Sequence, residues 1–133
     1  MDLAAYFKKA EGTGVLATSD QQGWVDMALY TKPHVVDNTT VAFVMKERLS
    51  HKNLKSNLRA AYLFMEKAPG YEGLRLYLTL LREETNQTLV ESLRRQQPLM
   101  FPAGDDSSKF VVFFQVDRVR PLVGDFPSRE AEE

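Results

Sequence analysis

The sequence contains no cysteine. That excludes disulfides, thiolate nucleophiles and cysteine-bound metals, and it suits a reducing compartment. Histidine is scarce too: His34 and His51 are the only two. They stand at no metal-ligand spacing and beside no carboxylate cluster, so no metal site is expected. An excess of charge is also missing. Seventeen Lys and Arg meet eighteen Asp and Glu, for a net charge of −1, and nothing electrostatic draws such a chain to nucleic acid. No apolar run reaches the length of a membrane span. The opening Met1-Asp2-Leu3-Ala4-Ala5-Tyr6-Phe7-Lys8-Lys9 has the wrong charge order and too short an apolar core for a signal peptide. The Gly-rich signatures of dinucleotide folds and P-loops are absent, as is a serine nucleophile elbow. The expectation is a soluble, cytoplasmic chain with no nucleic-acid or membrane partner.

What is present is an ordinary globular balance. The 133 residues are 44% apolar and 26% charged, enough for one core and one domain. Residues 1–124 read as that domain and residues 125–133 as a mobile tail. Leu3, Tyr6, Phe7 and Ala10 share a face at helical spacing, which predicts a helix over 2–11. Strands are predicted over 14–19, 24–35, 41–45, 60–66, 74–82 and 109–119, with turns at Asp20-Gln21-Gln22-Gly23 and Asp37-Asn38. A short helix is predicted from Ser50, taken as its N-cap, and a second over 85–96. Six strands, the first three joined by hairpin-length connections, suggest a mainly β, antiparallel barrel or sandwich with helices at its ends. Several strands are apolar on both faces: Val41, Phe43 and Met45 oppose Ala42 and Val44, and Phe110, Val112, Phe114 and Val116 oppose Val111 and Phe113. One face fills a core. The other needs a helix or a second subunit, and two long helices cannot cover every such face, so a homodimer is expected.

The segment Met45-Lys46-Glu47-Arg48-Leu49-Ser50-His51-Lys52-Asn53-Leu54 carries the clearest chemistry. It passes from a buried strand into a short helix, whose start presents free N–H groups and the positive end of the dipole. Arg48, Ser50 and Lys52 add a guanidinium, a hydroxyl and an ammonium, which together suit a phosphate. The same residues also fit a capped helix with a solvated basic face. In the second strand, Trp24 and Tyr30 share a face, with Ala28 leaving room for a planar ring or simply for cross-strand packing. Arg75 and Tyr77 share a face of the fifth strand, and an arginine there needs a partner: a carboxylate, a ligand or another subunit.

The run Gly14-Val15-Leu16-Ala17-Thr18, the turn with Gly23, the stretch Ala28-Leu29-Tyr30-Thr31-Lys32-Pro33-His34, and Arg48-Leu49-Ser50-His51-Lys52-Asn53-Leu54 followed by Asn57 and Ala60-Ala61-Tyr62 resemble the short pyridoxamine 5′-phosphate oxidase-like, FMN-binding split-barrel proteins. Gly70-Tyr71-Glu72-Gly73-Leu74-Arg75-Leu76 resembles their fifth-strand entry. The resemblance spans residues 10–120. It implies a six-stranded antiparallel Greek-key split barrel, a homodimer, and FMN in a cleft at the dimer interface. By position it gives the phosphate to Arg48, Ser50 and Lys52, with Asn53 supporting the turn and Leu49 standing where many relatives have a basic residue. It places Met27, Ala28, Leu29 and Tyr30 beside the isoalloxazine ring. Val44 and Met45 are expected to line the same cleft, and Arg75 and Tyr77 to reach it from the fifth strand of the same or the other subunit. Pyridoxamine phosphate oxidase proper is longer, and its basic C-terminal segment is not matched by Asp117-Arg118-Val119-Arg120-Pro121-Leu122-Val123-Gly124. The resemblance therefore points to flavin binding rather than to vitamin B6 oxidation.

Two functions follow. One is a flavin-dependent oxidoreductase acting on an unidentified small molecule, the flavin carrying the electrons and the protein supplying binding and electrostatics. The other is a non-catalytic barrel: a flavin carrier, an electron-transfer protein or a haem binder. A catalytic version is expected to keep a substrate pocket beside the flavin, near His34, Tyr71 or Arg75.

Overall fold

The structure is a computed structural model. It describes residues 1–46, 48–95 and 108–124, together with the backbone of residues 129–130. The expected loop over 97–108 lies almost wholly outside the described residues.

The chain opens with helix α1 (Leu3–Lys9). Asp2 caps it, its carboxylate accepting from the Ala5 N–H at 3.0 Å, and Lys8 and Lys9 sit in the last turn, where the dipole favours cations. Leu3 and Phe7, one turn apart, are its buried residues. Strand β1 (Gly12–Ser19) follows and turns back into β2 (Val25–Leu29). The Asp20 carboxylate accepts from the N–H groups of Gln22 and Trp24, and Gly23 adopts φ 88°, which an L side chain rarely tolerates.

The strand expected over 24–35 is two strands. Pairing with β1 ends at Leu29, and β3 (His34–Asp37) then pairs with β4 (Thr40–Lys46) instead. The break follows from Pro33, which has no N–H for a ladder, and from the crossing that residues 30–33 must make. The remaining elements are α2 (Leu49–Ser56), β5 (Arg59–Glu66), β6 (Gly73–Glu84), α3 (Gln87–Arg94), β7 (Lys109–Pro121) and the two-residue β8 (Arg129–Glu130). The strand count is therefore higher than the six expected. Within the tail expected to be mobile, Arg129 and Glu130 pair with β7.

All pairings are antiparallel, in the order β2-β1-β5-β6-β7-β4-β3. The two edge strands are consecutive in sequence. Laid flat, that path would set β2 and β3 about 29 Å apart. The five residue steps from Leu29 to His34 reach about 18 Å at most. The sheet must therefore curl until its edges approach. Since β2 and β3 do not pair with each other, the barrel stays split.

Its inside holds the main core, which includes Leu16, Phe43, Met45, Tyr62, Phe64, Leu76 and Phe114. A second cluster lies outside the barrel, where Val90 and Leu93 of α3 cover Ala42, Val44, Val111 and Phe113 of β4 and β7. This is the covering helix that the two-sided strands call for. The outer face of β2, β1 and β5 has no helix over it among the described residues: Val25, Met27 and Leu29 are 76%, 73% and 63% exposed, and Leu63 and Met65 are exposed as well. No described helix is long and apolar enough to cross a membrane.

Candidate functional site

The split in the barrel is where the candidate site lies. Along β2, Asp26 and Ala28 alternate with exposed neighbours and are half-buried, and Tyr30 continues the alternation. Tyr30 leaves the strand, yet its N–H still donates to the Gly14 carbonyl at 3.0 Å. Its ring packs edge-on against Phe43, centroids 5.8 Å apart. Across from β2, β4 ends at Lys46 and α2 begins at Leu49.

Helix α2 starts unusually. Its N-cap is Arg48, not Ser50, and Arg48 makes no side-chain cap; the first turn holds no acidic residue. The first bond of the helix runs from the Lys52 N–H to the Arg48 carbonyl, so the N–H groups of Leu49 and Ser50 have no intrahelical acceptor. Ser50 is buried within the first turn. The helix is tied down further along: the Asn53 amide donates to the Thr18 hydroxyl at 3.1 Å, and Leu54 enters the main core.

These two walls enclose a cavity of about 310 Å³ lined by Asp26, Met27, Ala28, Leu29, Tyr30, Lys46, Arg48, Leu49 and Ser50. Burial pushes the Tyr30 phenol up to about 12; the nearby Asp26 adds to this, while the Arg48 guanidinium and a hydrogen bond with Ser50 oppose it. Tyr30 is therefore a neutral phenol at physiological pH, beside the cation and hydroxyl of the helix start.

Seven of the thirteen expected site residues meet here: Met27, Ala28, Leu29, Tyr30, Arg48, Leu49 and Ser50. The other six lie elsewhere. Val44 sits in the outer cluster and Met45 in the barrel core, so neither lines the cavity. Both point away because a central strand buries both its faces. Lys52 is exposed on α2 outside the lining. Asn53 is buried as a support. The Arg75 guanidinium is bound by the carbonyls of Pro121, at 2.9 Å, and Gly124. Tyr77 lines a separate cavity of about 410 Å³ with Arg59, Ala60, Leu78, Asp117, Arg118 and Arg120.

Asp26 and Lys46 join the lining with no motif of their own in the sequence. Alternation from Tyr30 through Ala28 reaches Asp26, and Lys46 is the last residue of β4 before the helix start. His34 lines a third cavity with Lys8, Thr31 and Lys32, Tyr71 is exposed, and Trp24 faces solvent rather than sharing the environment of Tyr30. Among the described residues no group of His, Asp and Glu is arranged to hold a metal.

No protein-family model matches the sequence, and no curated protein matches it. Solved structures do. An FMN-binding protein from Syntrophomonas wolfei subsp. wolfei superposes with a TM-score of 0.70 at 15% identity, covering 89% of this chain and 82% of that one. A Clostridium acetobutylicum protein of the pyridoxinephosphate oxidase family, related to general stress protein 26, gives 0.71 at 12% identity over 97% and 92%. A heme binding protein from Mycobacterium smegmatis gives 0.65 at 19% identity over 98% of this chain and 57% of that one. At such identities the likeness is one of fold: the chain has the mainly β, antiparallel fold of the pyridoxamine 5′-phosphate oxidase-like split-barrel proteins.

Proposed function

We propose, from that fold and from the cavity between β2 and α2, that this chain binds FMN and serves as a flavin-dependent oxidoreductase on a small molecule. The observation that carries the reading is the convergence of two segments about twenty residues apart, one largely apolar with a small residue at Ala28, one cationic with an uncapped helix start. The residues suit the group. Arg48, Lys46, the Ser50 hydroxyl and the N–H groups of Leu49 and Ser50 would hold the phosphate. Ala28, between Asp26 and Tyr30, leaves space for a planar ring, with Leu49 as an apolar wall and the β2 strand at Met27 and Leu29 as the rim. Asp26 is the one carboxylate among the described lining residues, which favours a ligand with a single anionic end.

When bound, FMN would supply the electron-transfer chemistry. The protein's part is to bind and orient it. Tyr30 stays protonated and can donate a hydrogen bond. The cavity lies beside the uncovered face of Val25, Met27, Leu29, Leu63 and Met65. Val15 stands between Leu29 and Leu63 in the ladder, and Ala17 lies opposite Met27, so this face is continuous across β2, β1 and β5. A second copy of the chain is the proposed cover, giving a homodimer that shields the open side of each flavin. Haem fits less well, because neither histidine lines the cavity.

The test is a visible spectrum of the purified protein after incubation with FMN and desalting. Retained flavin absorbance supports the reading. A protein that stays colourless overturns it, and a Soret band instead favours haem.

A further inference from the structure

Helix α2 presents its start to the cavity but is not held there by a cap. What holds it is one buried face, formed by Ser50, His51, Asn53 and Leu54. Asn53 ties that face to β1 through Thr18. His51 ties it to β6 and β7. Its imidazole is 1% exposed and lies flat on Phe110 of β7, ring centroids 4.1 Å apart and planes 12° from parallel. A carboxylate can only accept, so the His51 Nε2–H donates to Glu83 Oε2 on β6, at 2.6 Å. Glu83 is partly exposed and belongs to the far end of β6, opposite Val112 of β7.

Two polar attachments on different strands, together with Leu54 in the core, fix both the position of a short helix and its rotation about its own axis. With one attachment lost, the rotation is held less firmly. Rotation matters because His51 directly follows Ser50: turning α2 swings the Ser50 hydroxyl and the N–H groups of Leu49 and Ser50 away from the cavity. Hydrogen-bond donors aimed at an anion lose most of their worth when misdirected.

We infer that the His51–Glu83 pair is a positioning device for the phosphate site, aiming the start of α2 into the cavity from a residue that never touches the ligand. The inference rests on the phosphate assignment above. Its consequence is selective: the pair supports binding of a phosphate-bearing flavin and is indifferent to the same ring without the phosphate.

The test compares FMN with riboflavin, each titrated into the protein and followed by flavin fluorescence. In His51→Leu, which keeps bulk against Phe110 but loses the donor, FMN affinity is expected to fall about tenfold, the size of one charge-assisted hydrogen bond. Riboflavin affinity is expected to stay unchanged. Glu83→Leu should behave alike. His51→Gln, whose amide can donate to Glu83, should recover most of the FMN affinity. Equal losses for both flavins in His51→Leu would reduce His51 to a general packing residue and overturn the inference, as would an unaltered preference for FMN. If the unsubstituted protein binds neither flavin, or both equally, the phosphate assignment fails and this inference with it.

Discussion

The phenol of Tyr62 on β5 lies 3.2 Å from the carbonyl oxygen of Tyr30 and 3.0 Å from that of Thr31, sharing its proton with the segment that joins the two edges of the sheet. A core residue thus holds the crossing that shapes the candidate site. Gly14 makes room for it: a Cβ there would stand 2.0 Å from Tyr62 Oη and 2.3 Å from the Tyr30 carbonyl.

Removing that phenol should loosen the crossing. Tyr62→Phe leaves two part-buried carbonyls without that donor and is expected to cost about 1–2 kcal/mol in urea denaturation. Gly14→Ala forces backbone and ring apart and is expected to cost at least about 1–3 kcal/mol. Unchanged midpoints would show that chain connectivity alone holds the edges together.

The proposed phosphate site makes unequal demands on its basic residues. Arg48→Ala is expected to weaken FMN binding by about 1.5–3 kcal/mol, the scale of a hydrogen bond to a charged group. Lys52→Ala should weaken it less, since Lys52 is exposed and off the lining. Titration of both variants checks this, and a larger loss from Lys52 would move the phosphate further along α2.

Alkaline pH should destabilise the protein through its buried tyrosines. Burial raises the phenol of Tyr30 to about 12 and raises those of Tyr62 and, with the Glu66 carboxylate beside it, Tyr6. A tyrosine exposed by unfolding titrates near 10, so the unfolded chain releases its protons first. The stabilisation from neutral burial is complete below about pH 10 and is lost as pH rises from there toward 12, Tyr30 contributing on the order of 2 kcal/mol. Denaturation midpoints at pH 8, 10 and 11.5 should fall over the last interval, and Tyr30→Phe should flatten that fall.

The uncovered face should decide the oligomeric state. Leu29→Glu or Leu63→Glu puts a charge where a second copy would seat, and is expected to give a single-chain mass in light scattering while the unsubstituted protein gives twice that mass. A single-chain mass for the unsubstituted protein would leave the face without its proposed partner.

Much of the architecture was legible because its signals are local. Alternation located most of the strands, helical spacing found α1, and the polar break after Met45 marked the strand-to-helix passage. The split of the second strand was harder to see. Residues 24–35 alternate well enough to read as one strand, and only Pro33 hints that the chain leaves one edge for the other. Val44 and Met45 show a similar limit: sequence distance brings them next to Lys46 and Arg48, but the two faces of a central strand point into two cores.

Sequence by itself determined the types of element, the two-sided apolar strands, and the basic, serine-bearing segment at a helix start, because periodicity and residue chemistry are written along the chain. Tertiary structure decided which residues share the cavity, that Arg48 rather than Ser50 begins α2, and that Arg75 is held by backbone carbonyls. It also decided that His51 meets Glu83, thirty-two residues away. Such pairings depend on how the sheet curls to bring β2 near β3, a closure imposed by chain length across residues 30–33 that no local pattern records.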